Sequence, residues 1–91
     1  MKSEEIKQII LSEYLDYADD ILLADGFDEA FIGIVKGAGH EPKACYDHDK
    51  CIKILMEEGL SEEDAVDHFD YVIGSYVGSF SPMFLYTRII K

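Results

Sequence analysis

The first part of the chain alternates apolar and acidic residues with the period of an α-helix. At 100° per residue, one apolar set falls within about 80° of the helix circumference and a second set falls in the neighbouring arc. The first set is Ile6, Ile10, Tyr14, Tyr17 and Ile21, and the second is Leu11, Leu15, Ala18 and Leu22. Because Ser3 is a favoured cap and Gly26 a favoured stop, the pattern predicts a helix over residues 4–24. Three acids lie on its opposite side: Glu13, Asp16 and Asp20.

The apolar sector of this helix covers roughly half of its circumference, which is wider than one layer of a small domain needs. Two interpretations remain open. The helix lies deeply across a sheet, or its outer side meets a second protein or a second copy of the chain. The second interpretation predicts a dimer interface at Leu11, Leu15 and Leu22.

The middle of the chain has the pattern of a β-hairpin followed by a helix. Residues 28–36 are rich in branched and aromatic side chains and end at the turn signal Gly37-Ala38-Gly39. With the short extended segment 42–46, they predict two paired strands. Asp47 or Asp49 then caps a helix over residues 48–58, which Gly59 closes.

The last third predicts a helix and a strand. Ser61 followed by Asp64 resembles a capping box, and an apolar face with Ala65 and Phe69 follows at helical spacing. Residues 83–90 are a run of strand formers. The order of elements predicts a single α+β domain over residues 1–91, with a three-stranded antiparallel sheet packed on helices.

The net charge of this chain argues against several classes of binding partner. Nineteen acids against eight bases give a net charge of −11. Such a chain is repelled by nucleic acid and by anionic lipid, so we expect no direct nucleic-acid or membrane partner. Any electrostatic attraction favours a basic protein, such as one that itself binds nucleic acid.

The acids fall mostly into two blocks without a base. Seven acids lie between Lys7 and Lys36, and seven more lie between Lys53 and Arg88. In the third helix, Glu63, Asp67 and Asp70 recur within an arc of about 60°. This stripe has two interpretations: a solvated face that keeps the protein soluble, or a row of carboxylates that competes for a phosphate-binding groove on another protein.

The chain lacks the features of exported and membrane proteins. The first residues contain no apolar signal-peptide region, and no stretch approaches the roughly 20 apolar residues that span a bilayer. Cys45 and Cys51 form neither a CxxC motif nor a disulfide framework. We therefore expect a cytoplasmic protein with reduced thiols.

Candidate ligands and nucleophiles are few. The metal-ligand types outside the acids are His40, Cys45, His48, Cys51 and His68, and they lack the doubled short spacing of zinc sites. Cys45 and His48 are the one local nucleophile–base pair, but no third orienting group accompanies them. The sequence predicts no metal, no cofactor and no catalytic residue, and hence a protein that is not an enzyme.

Several separated blocks give the chain a family resemblance. They are Asp25-Gly26-Phe27-Asp28-Glu29-Ala30, Cys51-Ile52-x-Ile54-Leu55-Met56, Gly59-Leu60-Ser61-Glu62-Glu63-Asp64-Ala65, Phe69-x-Tyr71, Gly74-Ser75-Tyr76-Val77-Gly78 and Pro82-Met83-Phe84. In this order, over about residues 25–85, the chain resembles a family of small, functionally uncharacterised proteins of phages and prophages. The resemblance implies a phage-borne accessory protein, and small acidic phage proteins often bind host or defence machinery.

These observations lead to one main hypothesis of function and one alternative. The main hypothesis is an accessory protein that binds a host or defence protein and masks a basic nucleic-acid-binding surface. The partner would be bound by two sets of acids: Glu63, Asp67 and Asp70, and Glu13, Asp16 and Asp20. The alternative is a homodimeric structural or regulatory protein that mimics no nucleic acid.

Overall fold

A computed structural model describes residues 2–86 of the chain. It contains the helices α1 (Ser3–Glu13), α2 (His48–Glu57) and α3 (Glu62–Ile73). Its strands are β1 (Phe31–Val35), β2 (Lys43–Asp47) and β3 (Met83–Leu85). The predicted α+β class is confirmed. Among residues 2–86, no helix is both long enough and apolar enough to span a membrane.

Helix α1 is much shorter than the predicted helix over residues 4–24. It ends at Glu13, and Tyr14 leaves the helical region with φ −134° and ψ 43°. A single 3₁₀ turn, Leu15–Tyr17, follows, and residues 21–24 form no helix. The prediction is therefore confirmed over residues 4–13 and wrong over residues 14–24. The cap also differs, because Lys2 is the N-cap and its backbone N–H donates to Glu5 Oε1 over 3.3 Å.

The sheet is mixed, with the strand order β1–β2–β3. Strands β1 and β2 are antiparallel, as predicted for the hairpin, with a bulge between Phe31 and Gly33. Strand β3 runs parallel to β2 and pairs Met83 with Cys45, so the prediction of a fully antiparallel sheet is wrong. Residues 87–90 of the predicted last strand lie outside the described residues.

Helices α2 and α3 begin where their capping residues predict. Asp47 Oδ1 accepts the backbone N–H of Lys50 over 3.2 Å, and Ser61 Oγ accepts that of Asp64 over 3.2 Å. Gly59 lies between the helices with φ +111°, a conformation that favours glycine because it has no Cβ. Both predicted helices are confirmed within a few residues at their ends.

The core lies where the sheet meets α2 and α3. Tyr46 and Phe69 are fully buried there, and Phe84 packs against both rings, with centroids 5.7 and 5.0 Å away. The Tyr46 hydroxyl accepts the backbone N–H of Ala24 over 2.9 Å. This bond ties the irregular segment after α1 to the centre of the sheet.

Candidate interaction surfaces

The outward side of α3 is an acidic face made by Glu63, Asp67 and Asp70. All three are exposed, and they project opposite the buried Ala65 and Phe69. Helix α3 contains no Lys or Arg that could offset their mutual repulsion. The helix dipole favours Glu63 in the first turn and gives no such stabilisation to Asp67 and Asp70, which lie further along.

An exposed aromatic ring lies beside this acidic face. Tyr71 is 81% exposed, and it follows Asp67 by one helical turn. Tyrosine is enriched among the residues that dominate protein interfaces. A carboxylate and a ring on adjacent positions suit a cationic side chain, which can pair with one and stack on the other.

The second predicted acidic set occupies a less regular part of the chain. Glu13 is the last residue of α1, Asp16 lies in the 3₁₀ turn, and Asp20 lies in the turn after it. All three are exposed. Because the helix ends at Glu13, they do not share one side of a continuous helix.

The three leucines predicted at a dimer interface are exposed on the described part of the chain. Leu11 is 47% exposed, Leu15 68% and Leu22 44%. They do not lie in one row along a helix, because α1 ends at Glu13, before Leu15 and Leu22. Leu11 lines a cavity of about 240 Å³ between α1 and the segment after it, whereas Leu15 lies beside Glu13 and Asp16 in another cavity.

The cysteines and histidines do not gather into a site. Cys45 and Cys51 are buried free thiols, and burial with the nearby Asp47 carboxylate raises the pKa of Cys51 to about 12. The His48 ring stacks on the Tyr86 ring, with 3.9 Å between their centroids, while His40 and His68 are exposed. Within residues 2–86, no three His, Cys, Asp or Glu side chains are placed to hold a metal ion.

A groove between α2 and α3 holds charges of both signs. Its volume is about 460 Å³, and Ile52, Met56 and Val66 contribute its apolar lining. Lys50 and Lys53 line it together with the acids Asp47, Asp49 and Glu62. The mixture of charges favours no single ligand class.

Sequence reasoning missed a charge separation along β1. A cavity of about 410 Å³ at its beginning is lined by the carboxylates Asp28, Glu29, Glu57 and Glu58. A cavity of about 360 Å³ at its end is lined by Lys36, Lys43 and His40, with Glu41 as the one acid. The signal was present in the sequence, since Asp28-Glu29 precede the strand and Lys36 follows it.

Comparison of the chain with protein-family models, curated proteins and solved structures finds no match.

Proposed function

We propose that the protein acts by binding another protein through the acidic face of α3. The observation that carries this proposal is the exposure of Glu63, Asp67 and Asp70 on the side of α3 opposite the core. Three like charges this close on a helix cost roughly 0.2–0.5 kcal/mol per pair. A partner with a basic surface would convert that cost into attraction.

The partner is a basic protein, with nucleic-acid-binding proteins as the natural class. Their binding grooves are lined by Lys and Arg that neutralise phosphates, and a row of carboxylates competes for the same side chains. Glu13, Asp16 and Asp20 supply a second exposed acidic set for such a partner. The resemblance to phage and prophage proteins favours a host or defence protein, whose basic surface would be masked.

The test begins with the tagged protein purified from its host cell at low salt, and it continues with the purified partner in titration calorimetry. Changing Glu63, Asp67 and Asp70 together to Lys should abolish binding, and neutral Gln and Asn at the same positions should weaken it less. Affinity of the wild type should fall as ionic strength rises, because salt screens exposed charges.

A matched control separates the acidic face from net charge. Changing Glu4, Asp19 and Glu41 to Lys alters the net charge equally at three exposed positions outside α3. This control should keep most of the affinity. Equal loss in both variants, or none in the α3 variant, would show that the face has no specific role.

A homodimeric structural or regulatory protein is the second candidate, favoured by the exposure of Leu11, Leu15 and Leu22. Leu15→Glu should then convert an assembled species to a folded monomer in light scattering. A wild type that is already monomeric at high concentration would exclude this candidate.

A further inference from the structure

Strand β1 is an edge of the sheet whose own residues carry no charge and no proline. Within residues 2–86 it pairs with β2 alone. An edge strand presents unpaired N–H and C=O groups, and proteins guard such edges with charges, proline, a β-bulge or a short strand. The five residues of β1, Phe-Ile-Gly-Ile-Val, contain no charge and no proline, so its protection is its short length and the bulge between Phe31 and Gly33.

The side chain of Ile32 adds an apolar contact at this edge. Ile32 lies at the bulge, where the register with β2 shifts, and it is 51% exposed. The space around the neighbouring Gly33 is open, since a Cβ built there would meet no atom within 4 Å. Among residues 2–86, the outer edge of β1 therefore has backbone groups that pair with no other strand, and it has room for side chains of another strand.

The charges at the two ends of β1 indicate which strand can pair with its free edge. Its beginning is acidic, with Asp28 and Glu29, and its end is basic, with Lys36 and the nearby Lys43. Antiparallel pairing with an identical strand brings each acidic end against a basic end. Parallel pairing would place like charges side by side.

We infer that β1 pairs antiparallel with β1 of a second copy of this chain, forming a two-fold dimer with a continuous six-stranded sheet. A two-fold contact must be self-complementary, and the charge pattern of β1 meets this requirement. If the pairing is centred between Ile32 and Gly33, Glu29 and Lys36 are the same number of residues from the centre, with Glu29 in the 3₁₀ turn Asp28–Ala30 that precedes β1.

The net charge supports this surface over other places of self-contact. Two copies, each with a charge of −11, repel one another overall, and a contact offsets this repulsion best where acids of one copy meet bases of the other. At Leu15, the neighbouring Glu13 and Asp16 add carboxylates to the contact. At β1, each contact instead joins carboxylates to a lysine.

Charge reversal tests the proposal. Analytical ultracentrifugation of the full chain at low salt should show a wild-type dimer, and Lys36→Glu and Glu29→Lys should each raise its dissociation constant about tenfold or more. An equimolar mixture of the two variants should restore dimers, because every contact then joins opposite charges. Lys7→Glu on α1 makes the same charge change as Lys36→Glu and should leave the dimer intact.

Amide hydrogen exchange locates the contact independently of charge. Those amides of Phe31–Val35 that face away from β2 should become more protected as protein concentration rises into the dimer range. A monomeric wild type would overturn the proposal, and so would a dimer that persists in both variants. Protection of β1 only on addition of the basic partner would assign the edge to that partner and also overturn it.

Discussion

Helix α3 and the segment from Leu11 to Leu22 carry similar apolar side chains and use them in opposite ways. In α3 the apolar side is buried completely at Ala65 and Phe69, and the polar side is left to solvent. In the earlier segment, Leu11, Leu15 and Leu22 are exposed although Ile6, Ile10 and Ile21 beside them are buried.

The difference shows that helical periodicity predicts burial only where the helix continues and has a surface to cover. Helix α3 packs against α2, and the ring centroid of its Phe69 lies 5.0 Å from that of Phe84 in β3. After Glu13 the chain leaves the helix, so the second apolar row loses its common direction. Its leucines are left exposed instead of buried in the core.

Replacing Phe69 tests the buried side of this comparison and has the largest expected effect. Phe69→Ala removes a fully buried ring and should cost about 3–5 kcal/mol of unfolding free energy. Urea unfolding followed by circular dichroism measures it. A loss below about 1 kcal/mol would mean that the core can close around the missing ring.

The stability of the protein at alkaline pH tests the buried core, because two buried side chains ionise there. Burial raises the pKa of Cys51 from 9.0 to about 12 and that of Tyr46 from 10.0 to about 12. The folded state therefore holds these protons more tightly, and stability is full below pH 9. Above the unfolded values, each group should lower stability by about 1.4 kcal/mol per pH unit.

Cys51→Ala provides the control for this pH dependence. The variant should be less stable at neutral pH but should lose stability less steeply between pH 9 and pH 10. Denaturant midpoints measured across this range give both slopes. Equal slopes would exclude the Cys51 thiol as a source of the effect.

Tyr46→Phe tests the connection between the two regions. It removes the hydroxyl that accepts the N–H of Ala24, which is itself fully buried. Leaving that donor without its partner should cost about 1–3 kcal/mol. Faster hydrogen exchange at Ala24 should accompany the loss, and unchanged exchange there would contradict the role of this bond.

Leu15→Ala tests the exposed side and has the smallest expected effect. Because Leu15 is mostly exposed, its truncation should change stability by no more than about 0.5 kcal/mol. Chemical denaturation at low protein concentration measures it for the monomer. A loss comparable with that of Phe69→Ala would place Leu15 in the core and remove the contrast.

Local signals made α2 and α3 predictable. Asp47 and Ser61 cap them with the side-chain bonds expected of these residue types, and Gly59 separates them. The hairpin was predictable as well, because Gly37-Ala38-Gly39 lies between two runs of strand-forming residues. In these segments the local preference and the tertiary packing agree.

Tertiary contacts decided the rest. Asp and Tyr are poor helix formers, and Tyr14, Asp16, Tyr17, Asp19 and Asp20 cluster where α1 stops. The apolar spacing nevertheless favours a continuous helix through these residues. After α1, the N–H of Leu22 donates to the Phe80 carbonyl, a bond that depends on a residue far along the chain. The direction of β3 likewise depends on how α2 and α3 return the chain to the sheet.

The candidate surfaces divide in the same way. The carboxylate stripe of α3 could be predicted, because spacing along a single helix places Glu63, Asp67 and Asp70 together. The contribution of Glu57 and Glu58 to the acidic cavity at the beginning of β1 could not, since they join Asp28 only when α2 packs beside the turn before the strand.

The parallel pairing of β3 with β2 has a consequence for the order of folding. The hairpin of β1 and β2 closes a short loop, whereas β3 pairs with β2 across a long loop that contains both α2 and α3. Non-local pairing is slow because the entropy of closing the long loop must be lost first. We therefore expect the hairpin and the two helices to assemble early and β3 to join in the last, slowest phase of folding.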